Sequence, residues 1–499
     1  MFFLYFCKKM ISFLGSILLL IVGYFTYGLL VERVFGMDSS RPTPAIRLRD
    51  DVDYVPLPIY KTFLIEFLNI AGLGPIFGAV AGALWGPSAF LWIVFGNILG
   101  GAVHDYLSGM ISVRMDGASL PNIVGKTLGK ALQQFMLFFT VVLMILVGAV
   151  FMLGPAEILA SIFHANIHVG GVNIPINTTF WAIVIFIYYF LATLLPIDKI
   201  IGRIYPIFGF LLFFMAISIF IAMIVKGYKV PEVWGNLYNH HYLGDKMPIF
   251  PLMFISIACG AVSGFHATQS PMMARCITNE KQGRFVFYGA MVMEGIVALI
   301  WAAIAMAFFG SIEGLNEVMG KEGRTAAYVV NLISNTLLGR LGAILALLGV
   351  VAAPITSGDT AFRSARLIIA DAFSISQTKI KNRLLIAVFL FVGSFFLTQI
   401  NYNILWRYMA WSNQTLATIT LWAVTVYLFR ENKFYWISLL PAAFMTMVTS
   451  TYFFFAPETL SLPYNLSLVL GVSVTLFILG LFFIYVRKNS TKKLLIIKK

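Results

Sequence analysis

Long apolar blocks alternate with short polar connections along most of the chain. The blocks are about 20 residues long, the length that a helix needs to cross the hydrocarbon core of a bilayer. They predict thirteen membrane-spanning helices near 10–31, 62–84, 88–113, 132–153, 179–196, 202–226, 249–270, 286–310, 340–357, 384–400, 404–429, 435–455 and 464–486. The first block is long and lacks a small-residue cleavage site, so we interpret it as a retained anchor rather than a signal peptide.

Two blocks contain glycine-rich interruptions where a membrane helix would ordinarily be continuous. They are Ala71–Pro75 and Cys259–His266. Because the bilayer core supplies no water for freed backbone groups, a broken helix must be sheltered by protein or line a watery cavity. Close packing of small residues is the alternative explanation for the glycines. Breaks at matched positions of two halves instead favour a transporter binding site.

The interruptions divide the chain into two similar sets of helices. Spans 2–6 and spans 7–11 form two sets of five, and each set begins with an interrupted span. Because the number of spans in a set is odd, the second set has the opposite orientation in the membrane. The sequence therefore predicts an all-α polytopic membrane protein with a five-plus-five inverted repeat, one extra N-terminal helix and two extra C-terminal helices. The predicted divisions are an N-terminal helix with a cytoplasmic loop at 1–61, repeats at 62–226 and 249–429, and two peripheral helices with a basic cytoplasmic tail at 430–499.

Composition and charge agree with this class. Of 499 residues, 60% are apolar and 11% charged, whereas a soluble protein carries about 25% charged residues. Most of the 35 Lys and Arg residues follow odd-numbered spans or lie in the tail, which predicts an external N-terminus and a cytoplasmic C-terminus. This orientation signal explains the net charge of +14 without a nucleic-acid partner. Three cysteines indicate no disulfide framework or zinc site, and the absence of a G-x-x-x-x-G-K-[ST] motif gives no support for ATP-driven pumping.

The breaks supply candidate substrate contacts. Freed N–H groups of a half-helix can bind a substrate carboxylate, and freed carbonyls can hold a cation. The candidate substrate-binding residues are Gly72, Leu73, Gly74, Pro75, Ser263, Gly264, His266, Asn413 and Gln414. An ordinary helix-end histidine is the alternative for His266, and interhelical hydrogen bonding is the alternative for the two amides.

Charged residues inside the apolar blocks are candidates for proton coupling or for a gate. They are Glu66, Asp105 with its neighbour His104, and Glu294. An ionisable group costs about 2.5–3.5 kcal/mol at a helix centre, so such groups face the bundle interior and have partners. They form either a proton relay or a structural network at an inner gate, with Arg114 or Lys61 as possible partners. Glu66 is the stronger coupling candidate because it shortly precedes the first break.

Several segments resemble one known family, the carbon starvation protein A (CstA) family. The similar segments lie within 41–420 and are Arg41–Pro56, Ala71–Gly78, Gly101–Tyr106, Ile197–Pro206, Ile257–His266 and Ser412–Ala417. The resemblance implies a bacterial inner-membrane secondary transporter, related to the amino acid/polyamine/organocation superfamily, with a LeuT-like core. It also implies uptake of pyruvate or peptides when nutrients are short.

The resemblance also suggests a cation site. In LeuT-like transporters, the third helix of the second repeat supplies hydroxyls to a sodium ion held by carbonyls of the first broken helix. The candidates here are Ile70, Ala71, Thr356, Ser357, Asp359 and Thr360, and their oxygen atoms suit a hard cation. The alternative is a helix end at Thr356–Thr360, where Ser and Asp act as caps.

The expected function is cation-coupled uptake of a small carboxylate-bearing nutrient, with pyruvate favoured over peptides and amino acids. The coupling ion is H⁺ or Na⁺, no cofactor is expected, and the partners are the substrate and the lipid bilayer. A channel, which would conduct without saturable accumulation, and a nutrient sensor, which would bind without transport, are the alternatives. No nucleophile or metal constellation predicts an enzyme.

Overall fold

The computed structural model describes residues 10–163, 166–169, 172–194, 197–377, 379–400 and 402–497. Within these ranges the regular structure is helical apart from one antiparallel pair, β1 (Asn166–Val169) with β2 (Val172–Pro175). Apart from short helical turns at Pro44–Arg47 and Gly244–Lys246, the helices are α1 (Ile11–Phe35), α2 (Ile59–Ile70), α3 (Gly74–Trp85), α4 (Ser88–Arg114), α5 (Leu120–Leu128), α6 (Lys130–Ile162), α7 (Thr178–Leu194), α8 (Ile197–Val225), α9 (Ile249–Met253, continued by Phe254–Ser256), α10 (His266–Ala274), α11 (Glu280–Phe308), α12 (Ile312–Met319), α13 (Ala326–Ala372), α14 (Ile380–Leu397), α15 (Tyr402–Arg430), α16 (Trp436–Phe455) and α17 (Tyr464–Ile497).

Nine helices of the described chain are long and apolar enough to cross a membrane, or ten if the bent pair α2–α3 is one span. The sequence predicts thirteen spans, three more than these ten. The three additional predicted spans correspond to α7, the pair α9–α10, and α15. The apolar part of α7 is short, α9 and α10 are separated by the second break, and α15 contains the polar run Ser412–Thr415. The protein is therefore an all-helical polytopic membrane protein.

The helices differ in how far they are buried. In α4 and in α11, 83% of the most apolar window is buried, against 28% in α1 and 17% in α17. The first two therefore form the centre of the bundle. The other two present apolar side chains outward, which suits helices that face lipid.

Helix α13 differs most from its predicted bounds. The expected span at 340–357 is part of a 47-residue helix that bends at Gly339, whose φ is +67°. Glycine adopts this left-handed conformation without the steric cost that other residues carry. The polar run Thr356–Thr360 lies well inside this helix. The alternative interpretation of that run as a capped helix end is therefore wrong.

Both predicted interruptions are breaks in the structure. Helices α2 and α3 meet at an angle of 56°, and Ala71 between them has a non-helical ψ of 43°. The second break runs from Ile257 to the start of α10 and includes Gly260 at a φ of +90°. Pro75 has no N–H to donate, which favours the unwound backbone at the first break.

The connection between α8 and α9 packs against the end of α3. The Trp85 indole donates to the carbonyl of Met247 at 2.9 Å, and the His241 ring lies 4.7 Å from the Trp85 ring. The N–H of Leu243 donates to His241 Nδ1 at 3.2 Å, which requires that nitrogen to be unprotonated. Burial lowers the pKa of His241 to about 4.

Candidate functional site

The two breaks contact each other directly. A Cβ on Gly74 would lie 2.1 Å from Cys259 Cβ, and one on Gly78 would lie 2.8 Å from the carbonyl oxygen of Ser256. Glycine permits this approach at both positions, because a Cβ on Gly74 would occupy the space of the Cys259 side chain and one on Gly78 the space of the Ser256 backbone. The tertiary structure thus brings together Gly74 and Cys259, which are 185 residues apart in the chain.

Aromatic side chains enclose the first break. A Cβ on Gly72 would lie 2.4 Å from the Phe151 ring, and that ring packs edge-to-face with Phe265 of the second break at 6.0 Å between centroids. Leu73 and Pro75 are also buried. A ligand therefore reaches this backbone only when the aromatic contacts separate.

Asn413 ties α15 to the second break. Its side-chain oxygen accepts the N–H of Phe265 at 2.6 Å, its amide donates to Ser263 Oγ at 3.0 Å, and its carbonyl accepts the N–H of Gly264 at 3.2 Å. These contacts satisfy N–H groups at the beginning of α10, as a helix cap does. The neighbouring Gln414 is buried, and neither of its amide atoms has a hydrogen-bond partner among the described residues.

The candidate cation residues separate into two groups. Thr356 and Ser357 donate to the carbonyl of Leu68 at 2.9 and 3.0 Å, so both hydroxyls lie against α2. The carbonyl that they contact belongs to Leu68, whereas the predicted contacts were with Ile70 and Ala71, which follow it in the chain. The carbonyl of Ile70 accepts the N–H of Gly72.

Asp359 and Thr360 point to other partners. Asp359 accepts the Tyr188 hydroxyl of α7 at 3.2 Å. The Thr360 hydroxyl donates to the carbonyl of Thr356 at 3.0 Å within α13. Neither residue joins the contact between the two hydroxyls and Leu68.

Four predicted ionisable residues form one buried cluster. Asp105 Oδ2 lies 2.8 Å from His266 Nδ1, and Asp105 Oδ1 lies 2.7 Å from His104 Nδ1. His266 Nε2 lies 3.5 Å from Glu294 Oε2. All four side chains are buried, so the cluster connects α4, α10 and α11 without solvent.

Glu66 connects the first broken helix to the second. Ser270 Oγ of α10 lies 3.1 Å from Glu66 Oε1 of α2 and 3.1 Å from the carbonyl of His266. Glu66 Oε2 is buried without a hydrogen-bond partner in the described chain. Arg114, which was considered as a partner of the intramembrane acids, instead pairs with Glu280 at 3.1 Å.

Sequence reasoning missed Ser270 and the role of Cys259 as neighbours of these acids. Both lie in the predicted span 249–270, but nothing in their spacing indicates which acid they approach. Asn69 and Gln269 were also missed, although they could have been found from the sequence, because they are polar amide side chains inside apolar blocks. Both are buried.

An apolar groove of about 540 Å³ lies between α1, α4, α9 and α16. Its lining includes Trp92, Phe95, Trp436 and Phe444, and no charged side chain. A carboxylate would find no complementary charge there, so this groove does not replace the breaks as a substrate site.

Solved structures of transporters share this fold. The transporter MhsT, solved in complex with L-phenylalanine, is 14% identical with a TM-score of 0.57, covering 84% of this chain and 98% of its own. An Eremococcus coleocola manganese transporter is 11% identical with a TM-score of 0.56, covering 88% of this chain and 99% of its own. At these identities the likeness shows the fold alone, which is that of LeuT-like transporters.

Curated relatives include proteins of known transport activity. An uncharacterized membrane protein of Haemophilus influenzae is 41% identical, covering 62% of this chain and 94% of its own length. The pyruvate/proton symporter BtsT of Escherichia coli is 29% identical, but the match covers 57% of this chain and only 47% of BtsT. The peptide transporter CstA of the same organism is 24% identical over 88% of this chain and 79% of its own.

The family model for carbon starvation protein CstA matches residues 9–169, 156–339 and 333–452. Together these ranges cover most of the chain and include both breaks. The family is one of transporters rather than enzymes. The chain therefore belongs to the carbon starvation protein CstA family of membrane transporters.

Proposed function

We propose that this protein imports a small carboxylate-bearing nutrient by proton symport, with pyruvate favoured over peptides and amino acids. The observation that carries the proposal is the buried carboxyl of Glu66, held by Ser270 across the two broken helices. The activities of BtsT and of the CstA peptide transporters support the substrate classes.

The position of Glu66 gives a physical reason for coupling. An ionised carboxylate in this enclosed site is unfavourable, and the arrival of a substrate carboxylate adds repulsion between like charges. Protonation of Glu66 removes that repulsion, so the proton and the substrate favour each other's binding. This coupling is reciprocal by thermodynamic linkage.

The finer architecture is part of the same proposal. Ten of the thirteen proposed helices form repeats of five at 62–226 and 249–429, one further helix precedes them and two follow, with an external N-terminus and a cytoplasmic tail. The contact between the two breaks at Gly74 and Cys259 supports the pairing of the repeats. The Lys and Arg distribution supports the orientation. Thr356 and Ser357 beside Leu68 form the candidate cation site, with sodium as the alternative coupling ion.

Uptake by proteoliposomes tests the substrate and the ion together. Radiolabelled pyruvate, a dipeptide and alanine are each offered under a proton gradient or a sodium gradient imposed separately. We expect saturable accumulation of pyruvate driven by the proton gradient. A channel would give no accumulation above equilibrium, and a sensor would bind substrate without uptake.

Variants then test the role of Glu66. Glu66→Gln should abolish accumulation driven by a proton gradient while retaining exchange of labelled for unlabelled substrate. Glu458→Gln is the matched control, because Glu458 is a largely buried carboxylate in the turn after α16 that accepts the Tyr452 hydroxyl. If uptake by the Glu66→Gln variant still depends on pH, Glu66 is excluded as the proton site.

A further inference from the structure

We propose that Cys259, His266 and Glu294 form a binding site for a transition-metal ion, with Zn²⁺ the best fit. The thiol, the imidazole and the carboxylate are all buried, and their ligand atoms lie within 4.8 Å of one another. Cys259 lies in the second break, His266 is the first residue of α10, and Glu294 belongs to α11. An ion bound here would join the break to the centre of the bundle.

The spacing of the nitrogen and oxygen ligands fits one ion. His266 Nε2 and Glu294 Oε2 are 3.5 Å apart, which is long for a hydrogen bond. Two ligands at Zn–N and Zn–O distances of about 2.0–2.2 Å and a tetrahedral angle are separated by about 3.4 Å. In the same geometry, Cys259 Sγ would lie about 3.6 Å from both the nitrogen and the oxygen ligand. Because the three ligand atoms already lie within 4.8 Å of one another, the sulfur would have to move by roughly 1 Å to reach that distance. Cys259 lies in the non-helical segment beside Gly260, where the backbone is least constrained by helical hydrogen bonds.

The remaining hydrogen bonds prepare His266 as a ligand. Its Nδ1 lies 2.8 Å from Asp105 Oδ2, so a proton on Nδ1 is held by that carboxylate and Nε2 keeps its lone pair. His104 in turn contacts the other oxygen of Asp105 at 2.7 Å. A carboxylate on the non-ligating nitrogen is the usual support of a metal-binding histidine, since it fixes both the tautomer and the ring orientation.

Glu294 provides an independent indication of a cation. Its side chain is buried, and neither carboxylate oxygen accepts a hydrogen bond from a side chain of the described residues. Buried charges are normally paired or coordinate a metal. His266 Nε2 lies 3.5 Å from Glu294 Oε2, which is beyond ordinary hydrogen-bond distance, and a divalent ion between Glu294 and the Cys259 sulfur would pair the carboxylate directly.

The ligand types select the class of ion. The alternative is a hydrogen-bonded network, in which His266 lies between Asp105 and Glu294 and the Cys259 thiol donates to Ser263 Oγ at 3.6 Å. Titration with cobalt distinguishes the two, because only a bound ion takes the sulfur as a thiolate ligand. Sulfur is a poor ligand for Na⁺, Mg²⁺ and Ca²⁺, which prefer oxygen. Thiolate, imidazole and carboxylate together are typical of zinc, with three protein ligands and one open position.

Cobalt binding provides the test, because a thiolate bound to Co²⁺ gives a charge-transfer absorption band. The full chain carries Cys7→Ser, so that Cys259 and Cys276 are the remaining cysteines. It is purified in detergent and titrated with Co²⁺, and Zn²⁺ is then added as a competitor. We expect one Co²⁺ per chain, a thiolate band, and loss of that band on addition of Zn²⁺.

Variants identify the ligands. Cys259→Ser should abolish the band, whereas Cys276→Ser should retain it, and Cys276 is a matched control because it is also a buried free cysteine. Glu294→Gln should weaken Co²⁺ binding by at least about 10-fold with the band retained, and Asp105→Asn by about 10–100-fold as a supporting residue.

Three outcomes would overturn the proposal: no stoichiometric Co²⁺ binding, a band that survives Cys259→Ser, or a band lost in Cys276→Ser. If Cys259→Ser is not monodisperse, Glu294→Gln decides, because unchanged affinity there excludes this site. Binding is measured without substrate or gradient, so its failure is distinct from failure of proton symport. If the ion binds, micromolar Zn²⁺ should also inhibit uptake by holding the second break against α11.

Discussion

Asn413→Ala should destabilise the second break and reduce uptake. The substitution removes a hydrogen bond to the N–H of Phe265 at 2.6 Å and one to Ser263 Oγ at 3.0 Å, but it leaves the backbone contact to Gly264. Interhelical hydrogen bonds in membranes contribute about 0.6 kcal/mol on average and up to about 1.7 kcal/mol. A buried N–H without a partner costs about 1–3 kcal/mol. We therefore expect a loss of about 1–3 kcal/mol in the free energy of unfolding.

Unfolding in mixed micelles with increasing denaturing detergent measures this loss, with uptake measured in parallel. Thr420→Val is the matched control, since Thr420 is buried on the same helix but, among the described residues, its hydroxyl donates only to the carbonyl of Leu416 in that helix. The control should change stability by less than about 1 kcal/mol. If Asn413→Ala were no more destabilising than Thr420→Val, the reasoning that Asn413 caps α10 would be refuted.

Three further predictions follow from the structure. Gly74→Ala places a Cβ 2.1 Å from Cys259 Cβ, so it should lower thermal stability by about 1–3 kcal/mol and reduce uptake. Adding Cys259→Gly should restore part of both, and no rescue would contradict the contact between the breaks. The double variant Thr356→Ala, Ser357→Ala should remove any stimulation of uptake by sodium, and unchanged stimulation would exclude a cation site there. The pKa of His241 is about 4 when folded and near 6.5 when unfolded, so its contribution to stability is full above about pH 6.5 and falls as the pH drops toward 4. Between pH 7 and pH 5 this effect lowers the free energy of unfolding by about 1–3 kcal/mol. His241→Phe should reduce that loss, as measured by thermal unfolding at pH 7 and at pH 5.

Sequence reasoning identified the breaks because the signal is local. A glycine-rich interruption inside an apolar block is visible in a few residues, and bilayer physics requires that it be sheltered. The same locality explains an error at Thr356–Thr360, where a polar run indicated a helix end. In the structure the run stays helical, and its hydroxyls donate to backbone carbonyls of α13 and, for Thr356 and Ser357, also to the carbonyl of Leu68.

The sequence did not predict which residues far apart in the chain pair with each other. Arg114 was as plausible a partner for the intramembrane acids as any other cation, yet it pairs with Glu280. Which charge meets which depends on the packing and rotation of whole helices, and these are not encoded in local spacing.

The sequence by itself determined that this is a polytopic helical membrane protein with two broken helices and the motifs of the CstA family. The membrane class and the breaks follow from hydropathy, block length and backbone requirements, which act within one segment, whereas the family resemblance rests on short runs of matching residues. Only the tertiary structure decided that Gly74 lies against Cys259, and that Asp105 and Glu294 converge on His266. The physical reason is that such contacts arise from close packing between helices far apart in the chain, where a small residue or a helix rotation selects the partner.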